Sequence, residues 1–237
     1  MDQSSTIQAY LRIGTSSCGG SLVNHYHVIT AAHCVAGATP DQLRIYLGEY
    51  TLNSEEEPFA HVMVGASQIS VHPHHKLGTH RYDVAVITLS RRVPYQPHIK
   101  PICLPDKGDD FEADYAVVAG WGITQEGLRF VYPETLQAVS VKIINNGQCQ
   151  SWYTRRGYDY RIHTEMVCAG FREGGKDACT GDSGGPLMLE DRGRWTLVGI
   201  VSWGIPCAHP LLPSVYHRVS ATIDWISSVV WSLPKSL

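Results

Sequence analysis

Three polar side chains in this sequence could together cleave an acyl bond. Ser183 stands in the glycine-rich sequence GDSGGP at residues 181–186. Far upstream, His33 stands in TAAHC and Asp83 opens the apolar run DVAVITL. A serine hydroxyl is a poor nucleophile at neutral pH, so it needs a base to take its proton and a third group to orient that base. Taken singly, a turn serine, a structural histidine and a capping aspartate are the simpler interpretations. Together the three residues can supply nucleophile, base and orienting carboxylate.

The order of these residues along the chain separates the known arrangements of this chemistry. Histidine, then aspartate, then serine is the chymotrypsin order, whereas α/β-hydrolases run serine, aspartate, histidine and subtilisins run aspartate, histidine, serine. No Gly-x-Ser-x-Gly sequence surrounds Ser183, which disfavours an esterase on another fold. At the three motifs the chain resembles the trypsin-like serine endopeptidases. The resemblance implies that Ser183 is the nucleophile, that His33 is the general base and then acid, and that Asp83 orients the imidazole.

Short apolar runs separated by turn residues must place these side chains, and such a pattern predicts an all-β chain. The runs lie at residues 22–23, 28–30, 43–47, 84–87, 115–118, 139–143, 195–201 and 215–216. One helix is predicted near the C-terminal end. There Ile223, Ile226 and Val230 share one face, Trp225 and Val229 form a second pair, and Thr222 or Ser220 could provide the cap.

The resemblance implies two six-stranded antiparallel β-barrels with the site in the crevice between them. The N-terminal barrel, residues 1–108, would carry His33 and Asp83. The C-terminal barrel, residues 109–237, would carry Ser183 and the C-terminal helix. The boundary is placed near residues 105–112, where the sequence is polar and rich in turn residues.

The resemblance also implies how substrate is held. The backbone N–H groups of Gly181 and Ser183 would bind the oxyanion, and a glycine at 181 permits an unusual backbone conformation and a close approach of substrate. Ser202 matches a position that hydrogen-bonds the triad aspartate. Trp203 and Gly204 match the edge that pairs with the substrate backbone.

Asp177, six residues before the serine, matches the floor of the primary specificity pocket. A buried carboxylate there selects arginine or lysine before the scissile bond, and Ala178, where many relatives have serine, favours arginine because lysine loses a hydroxyl partner. A surface acid beside Lys176 is the simpler interpretation of Asp177. Ser214 and Pro206 stand where relatives have glycine, so we expect a narrower pocket and slower cleavage than in a typical relative.

Asp182, next to the serine, matches the residue that switches this family on. In the family a new terminus of the Ile-Val-Gly-Gly type, freed by cleavage, pairs with that aspartate and orders the pocket. It lies roughly two dozen residues before the position of Cys18, whereas this chain has seventeen residues there, and the cleavage-like sequence at residues 12–14 is too close. Left unpaired, a buried charge typically costs about 3–5 kcal/mol, so a zymogen-locked or truncated binding protein is the alternative hypothesis.

Seven cysteines occur and none forms a CxxC pair, which disfavours a zinc ribbon or a thioredoxin site. Sequence alone leaves the pairing open, and seven reduced thiols in a cytosolic protein remain an alternative. The resemblance implies the bridges Cys18–Cys34, Cys149–Cys168 and Cys179–Cys207. Cys103 then has no partner, as expected of a cysteine that tethers the domain to an upstream segment or chain.

Composition excludes several classes of protein. The chain is 43% hydrophobic and 17% charged, which is ordinary for a globular protein, and its net charge of −3 argues against binding of nucleic acid or of anionic membranes. No apolar run is long enough to span a bilayer, and residues 1–10 lack the apolar segment of a signal peptide. Features such as LGEY at residues 47–50 and the odd Cys103 resemble arthropod clip-domain proteases, which are secreted zymogens.

Two polar loops have ambiguous chemistry. Glu49 and the acidic run Glu55, Glu56 and Glu57 could bind calcium, although a solvated loop is the simpler interpretation. The histidines at residues 72–75 and His80 could bind adventitious metal, but an exposed loop beside Asp83 is favoured. No cofactor or metal is therefore predicted. The expected partners are protein or peptide substrates with arginine or lysine and protease inhibitors, and a monomer is expected.

Overall fold

The computed structural model describes residues 7–54, 57, 59–124, 131–191 and 193–231, and their strands close into two six-stranded antiparallel barrels. The first barrel has the order β1-β2-β3-β6-β5-β4, and β4 pairs with β1 to close it. Its strands are β1 Gln8–Ile13, β2 Ser16–Asn24, β3 His27–Thr30, β4 Leu43–Leu47, β5 Val62–Val71 and β6 Ala85–Leu89.

The second barrel has the order β10-β11-β12-β9-β8-β7, and β7 pairs with β10. Its strands are β7 Tyr115–Gly120, β8 Gln137–Ile144, β9 Met166–Ala169, β10 Pro186–Asp191, β11 Arg194–Trp203 and β12 Ser214–Arg218. The predicted fold class is therefore confirmed. The boundary predicted between residues 108 and 109 falls in the segment that joins β6 to β7.

Three α-helices lie outside the barrels in the described ranges: α1 Ala32–Val35, α2 Asn146–Arg155 and α3 Ile223–Val230. Helix α2 was not predicted. It begins after Asn145, whose side-chain oxygen accepts a hydrogen bond from Gln148 N at 2.7 Å and so caps the first turn. None of these helices has the length and apolar character needed to cross a bilayer.

Helix α3 lies at the predicted place and buries the predicted face, Ile223, Ile226 and Val230. Thr222 occupies the N-cap position, but its hydroxyl does not cap the helix. It bonds Nε2 of the buried His217 at 2.8 Å instead, so the predicted cap was wrong in its chemistry. A buried imidazole needs a partner, and the first turn of α3 supplies it.

Apolar side chains of the described residues form one core inside each barrel, one between the barrels and a fourth beside helix α2. The shared core joins Ile29 and Val86 of the first barrel to Met188 and Ile200 of the second. Helix α3 contributes the predicted face to this shared core, although it follows the second barrel in sequence. The site described below lies where the two barrels meet.

Candidate active site

Asp83 is fully buried, and donors on two sides hold its carboxylate. Oδ1 accepts a hydrogen bond from the backbone N–H of His33 at 2.8 Å, and Oδ2 accepts one from His33 Nδ1 at 2.7 Å. The hydroxyl of Ser202 donates to the same Oδ2 at 2.5 Å. Burial by itself raises the pKa of Asp83, but the hydrogen bonds from His33 and Ser202 and the nearby ring of His80 outweigh it and hold the pKa well below its usual range. Asp83 therefore stays ionised and fixes the ring of His33 with Nδ1 as donor.

Local structure brings His33 and Asp83 together from positions fifty residues apart. His33 lies in the single turn of α1, directly after β3, and the bridge Cys18–Cys34 ties that turn to β2. Asp83 lies two residues before β6, which pairs with β3 in register. Neighbouring strands thus present the two residues at the same edge of the first barrel.

Ser183 lies in the second barrel, in the turn before β10, and this turn contacts the first barrel. Its carbonyl accepts a hydrogen bond from Gly19 N of β2 at 2.7 Å, which joins the serine turn to the first barrel. Gly184 has a φ of +79°, and a Cβ there would lie 2.3 Å from Thr30 Oγ1. The glycines of GDSGGP are therefore needed for the turn to fit against the first barrel.

The groups needed for acyl transfer are free in this turn. Within the described part of the chain, the Ser183 hydroxyl and the backbone N–H groups of Gly181 and Ser183 make no hydrogen bond. Gly181 has a φ of +103°, which an L side chain rarely adopts, and a Cβ there would lie 2.9 Å from the Gly122 Cα. In ligand-free sites the bond between nucleophile and base is often long and tightens only with substrate.

Asp177 is a half-buried carboxylate held mainly by backbone donors. Oδ1 accepts hydrogen bonds from the N–H groups of Ala178 at 2.9 Å and Ser214 at 3.2 Å, and Oδ2 accepts one from Ala208 N at 3.0 Å. Burial raises its pKa to about 6, although these hydrogen bonds act in the opposite direction. A half-buried carboxylate that pairs with no lysine, arginine or histidine of the described ranges can attract a cationic ligand.

One wall beside this carboxylate carries Ser214, at a position where relatives have glycine. Ser214 is 3% exposed, and its hydroxyl donates to the Ala178 carbonyl at 3.4 Å. A Cβ added to Gly204 would lie 2.8 Å from the Ser214 Oγ, so the two opposing segments are close. The neighbouring Trp203 packs on Tyr153 and Tyr160, with ring centroids 5.5 and 5.4 Å away.

Asp182 is a second half-buried carboxylate. Gly122 N donates to Oδ1 at 2.8 Å and Cys179 N donates to Oδ2 at 2.9 Å, but no lysine, arginine or histidine in the described ranges pairs with it. Burial raises its pKa above the usual value. The carboxylate borders a cavity of about 480 Å³, which Asp177, Lys176 and His209 also line.

The loop histidines do not all behave as predicted. His72 is buried rather than exposed, since its ring stacks on Tyr82 at 4.9 Å and meets the edge of Trp225 at 4.8 Å. His80 is partly exposed but turns towards the site, with its Nδ1 3.9 Å from Asp83 Oδ2. Its ring centroid lies 5.9 Å from that of His33. The sequence shows that His80 precedes Asp83 by three residues, but it does not predict that the two side chains lie close together.

Two carboxylates of the acidic loop, Glu49 and Glu57, already have partners within the protein. Glu49 is 5% exposed, and its Oε2 lies 2.9 Å from His61 Nδ1, while Glu57 accepts hydrogen bonds from the N–H groups of Tyr50 and Thr51. Burial raises the pKa of Glu49. Glu55 and Glu56 lie outside the described residues, and calcium binding here stays a prediction.

The six cysteines that the resemblance pairs are bridged in the structure. Cys18–Cys34, Cys149–Cys168 and Cys179–Cys207 all form disulfides. The third bridge links the segment between Asp177 and Ser183 to the segment that follows β11. Cys103 is a free, half-buried thiol.

Comparison with known proteins gives a consistent result. The family model described as Trypsin matches residues 1–226. The chain is 40% identical over 213 residues to "Serine proteinase stubble" of Drosophila melanogaster, which covers 90% of this chain and 27% of that protein. It is 40% identical over 211 residues to "Coagulation factor XI" of Bos taurus, covering 88% of this chain and 32% of that protein. It is 38% identical over 233 residues to human "Testisin", covering 94% of this chain and 73% of that protein.

Proposed function

Because the chain belongs to the trypsin family of serine proteases, we propose that it is an endopeptidase that cleaves after arginine or lysine through Ser183, His33 and Asp83. The observation that carries this proposal is the buried hydrogen-bonded chain from Ser202 through Asp83 to His33. It fixes one imidazole nitrogen and leaves the other to act as a base. The chain spans less than a third of the stubble protein, so the activity of any longer protein is likewise a proposal.

The proposed reaction follows from these contacts. His33 Nε2 takes the proton of the Ser183 hydroxyl as its oxygen attacks the substrate carbonyl carbon. The N–H groups of Gly181 and Ser183 bind the oxyanion, and loss of one such donor typically costs about 10²- to 10³-fold in rate. His33 then gives its proton to the leaving amine. Water, activated by the same imidazole, hydrolyses the acyl-enzyme and restores the serine.

Specificity for a cationic side chain is proposed from Asp177. Its carboxylate is half-buried and has no cationic partner in the described ranges, so a guanidinium can bind both oxygens as a fork. Ser214 approaches the same oxygens through its backbone N–H, and its side chain narrows the space towards Gly204. Both features favour the flat guanidinium of arginine and predict a slow enzyme with a narrow pocket.

Hydrolysis of a set of fluorogenic peptides that differ only in the residue before the scissile bond tests the proposal. Arginine is expected to give the highest kcat/KM, lysine a lower one and apolar residues almost none. Ser183→Ala provides the blank, and its unfolding midpoint in urea shows whether it retains the fold. Preference for an apolar residue would contradict the assignment of Asp177. Equal turnover by wild type and Ser183→Ala would contradict the assigned nucleophile.

A latent form is the second candidate, and the contacts of Asp182 favour it. In the described part of the chain this carboxylate accepts hydrogen bonds from backbone N–H groups and pairs with no cation, and it borders the 480 Å³ cavity. A fusion that places a cleavable segment with an Ile-Val-Gly-Gly start upstream of the chain separates the two candidates. Activity only after cleavage indicates a latent protease. Inactivity in both forms, with the fold intact, indicates a binding protein.

The proposed setting is extracellular, because three disulfides are maintained in oxidising compartments. Cys103 remains the candidate for a bridge to an upstream segment or chain. Protein substrates follow from the family, whereas inhibitors and a monomeric state are part of the proposal.

A further inference from the structure

His80 adds a second imidazole to the proposed catalytic pair. Its Nδ1 atom is buried and has no hydrogen-bond partner among the described residues, yet it lies 3.9 Å from Asp83 Oδ2. The rest of the ring is open, since the side chain is 42% exposed. The backbone of His80 has a φ of +51°, a left-handed conformation that costs of order 1–3 kcal/mol for such a residue. The fold therefore holds this ring against Asp83 in spite of backbone strain.

His33, His80 and Asp83 form a compact set of metal ligands. One donor atom from each lies within 4.8 Å of the others. Two imidazoles and one carboxylate are a ligand set that zinc commonly takes, with a water molecule as the fourth ligand. Zn–N and Zn–O bonds of about 2.0–2.2 Å in a tetrahedron separate the ligand atoms by roughly 3.4 Å. The distances to Asp83 Oδ2, 2.7 Å from His33 and 3.9 Å from His80, lie on either side of that value.

The other compact cluster in the described ranges cannot serve. It consists of Cys18, His33 and Cys34, and its two sulfurs are joined in a disulfide. A thiolate is required for coordination, and neither sulfur can provide one while the bridge is intact. The set that contains His80 is therefore the better candidate.

We propose that His33, His80 and Asp83 bind one Zn²⁺ ion, and that the bound ion reversibly blocks peptide hydrolysis. The ion enters between the two imidazoles and replaces the hydrogen bond from His33 Nδ1 to Asp83. The proton of that bond moves by way of solvent to Nε2, so His33 coordinates the metal through Nδ1 as a neutral imidazole and can no longer act as a base. Ser202 continues to donate to Asp83 and orients the carboxylate towards the metal. The inhibition rests on the proposed roles of His33 and Asp83, whereas the metal site does not.

Zinc binding is measured first, by calorimetric titration of Zn²⁺ into Ser183→Ala protein that also carries Cys103→Ser. This background keeps the three ligands, removes the free thiol and needs no activity. One site is expected, and adding His80→Ala should raise its dissociation constant by at least about tenfold, since even outer-shell changes cost 10- to 100-fold. His25→Ala is the matched control, because His25 contacts Val93, Arg92 and Tyr95 rather than the site. It should leave the constant within about twofold.

Inhibition is measured next, on protein with Ser183 intact and the arginine peptide as substrate. Zn²⁺ should reduce the rate and a chelator should restore it, and the concentration for half inhibition should rise at least about tenfold in His80→Ala. Rates are compared with the metal-free rate of the same variant. His80→Gln is the second variant should His80→Ala fail to fold, because glutamine keeps much of the side-chain volume but is a poor zinc ligand.

Equal zinc affinity in wild type and both His80 variants would overturn the site, and so would the absence of binding. Binding that depends on His80 without loss of activity would overturn the inhibition. If no hydrolysis occurs before any zinc is added, the proposed function fails while the calorimetric result still decides the metal site.

Discussion

At the scale of single residues, the site contains a buried and a half-buried carboxylate whose pKa values shift in opposite directions. Asp83 receives side-chain donors from His33 and Ser202, and its pKa falls despite full burial. Asp177 receives mainly backbone N–H groups, and burial raises its pKa to about 6. Strong side-chain donors thus keep one carboxylate charged, whereas the mainly backbone donors of the other do not offset its burial.

The raised pKa of Asp177 predicts that selectivity for arginine depends on pH. Below about pH 6 this carboxyl is protonated and neutral, and above it the group is charged and attracts a guanidinium. The ratio of kcat/KM for a peptide with arginine to that for the same peptide with citrulline should therefore rise as pH increases through about 6. Because both peptides are cleaved with the same general base, the pH dependence of that base is the same for both and drops out of the ratio. A ratio that stays constant from pH 5 to pH 8, roughly one unit or more on either side of the pKa, would contradict the prediction. For Asp177→Asn a constant ratio is expected.

How far the site can be predicted from sequence depends on how local its signals are. His33, Asp83 and Ser183 each stand in a distinctive short motif, and the structure brings His33 and Asp83 into direct contact. His80 stands in no motif. Its approach to Asp83 depends on left-handed backbone at His80 and Tyr82, with φ values of +51° and +48°, and non-glycine residues give no warning of such turns.

At the scale of elements, the predicted apolar runs fall in eight of the twelve strands, and β1, β5, β9 and β10 were missed, although β9 is wholly apolar and buried. The apolar runs of β6 and β11 were recognised in the sequence, whereas β1 was missed because its sequence, QAYLRI, mixes polar and apolar residues. Helix α2 was missed because its apolar face is weak and its burial is limited to Cys149, Trp152 and Tyr153. The Asn145 cap was its one available signal. Packing against the second barrel, which sequence periodicity does not report, decides that this segment is helical.

An ion pair between Arg81 Nε and Glu165 Oε1 links the loop before Asp83 to the second barrel. Glu165 is 4% exposed, so Arg81→Ala would leave a buried carboxylate without its partner. We expect the free energy of unfolding to fall by about 1–3 kcal/mol, as read from the urea midpoint.

Two further variants control this prediction. Adding Glu165→Gln to Arg81→Ala should recover part of the loss, because a neutral amide is less costly to bury than a carboxylate. Lys107→Ala breaks a fully exposed pair with Asp224 and should cost less than about 1 kcal/mol. A loss for Arg81→Ala no larger than that for Lys107→Ala would show that the pair does not anchor the loop.

At the scale of the whole molecule, the two barrels depend on each other through the core between them. The last helix, α3, packs its buried face into this shared core together with Val84 and Val86 of the first barrel, and Asn24 Nδ2 reaches the Val230 carbonyl at 3.5 Å. Helix α3, which follows the second barrel in sequence, thus contacts the first barrel. Because the proposed catalytic groups are divided between the barrels, any separation of the barrels would also separate the base from the nucleophile.

This arrangement predicts that a cavity under α3 destabilises both barrels equally. Ile226 is fully buried, and Ile226→Ala should cost about 2–5 kcal/mol. Native-state amide hydrogen exchange should then show the same loss of protection in the slowest amides of β6 and of β11, because both exchange through one cooperative unfolding. Asp224→Asn, on the exposed side of α3, should change protection in both strands by less than about 1 kcal/mol. If Ile226→Ala lowered protection in β11 while β6 kept its own, the barrels would be independent folding units, and the shared core would hold the proposed site together without coupling their stability.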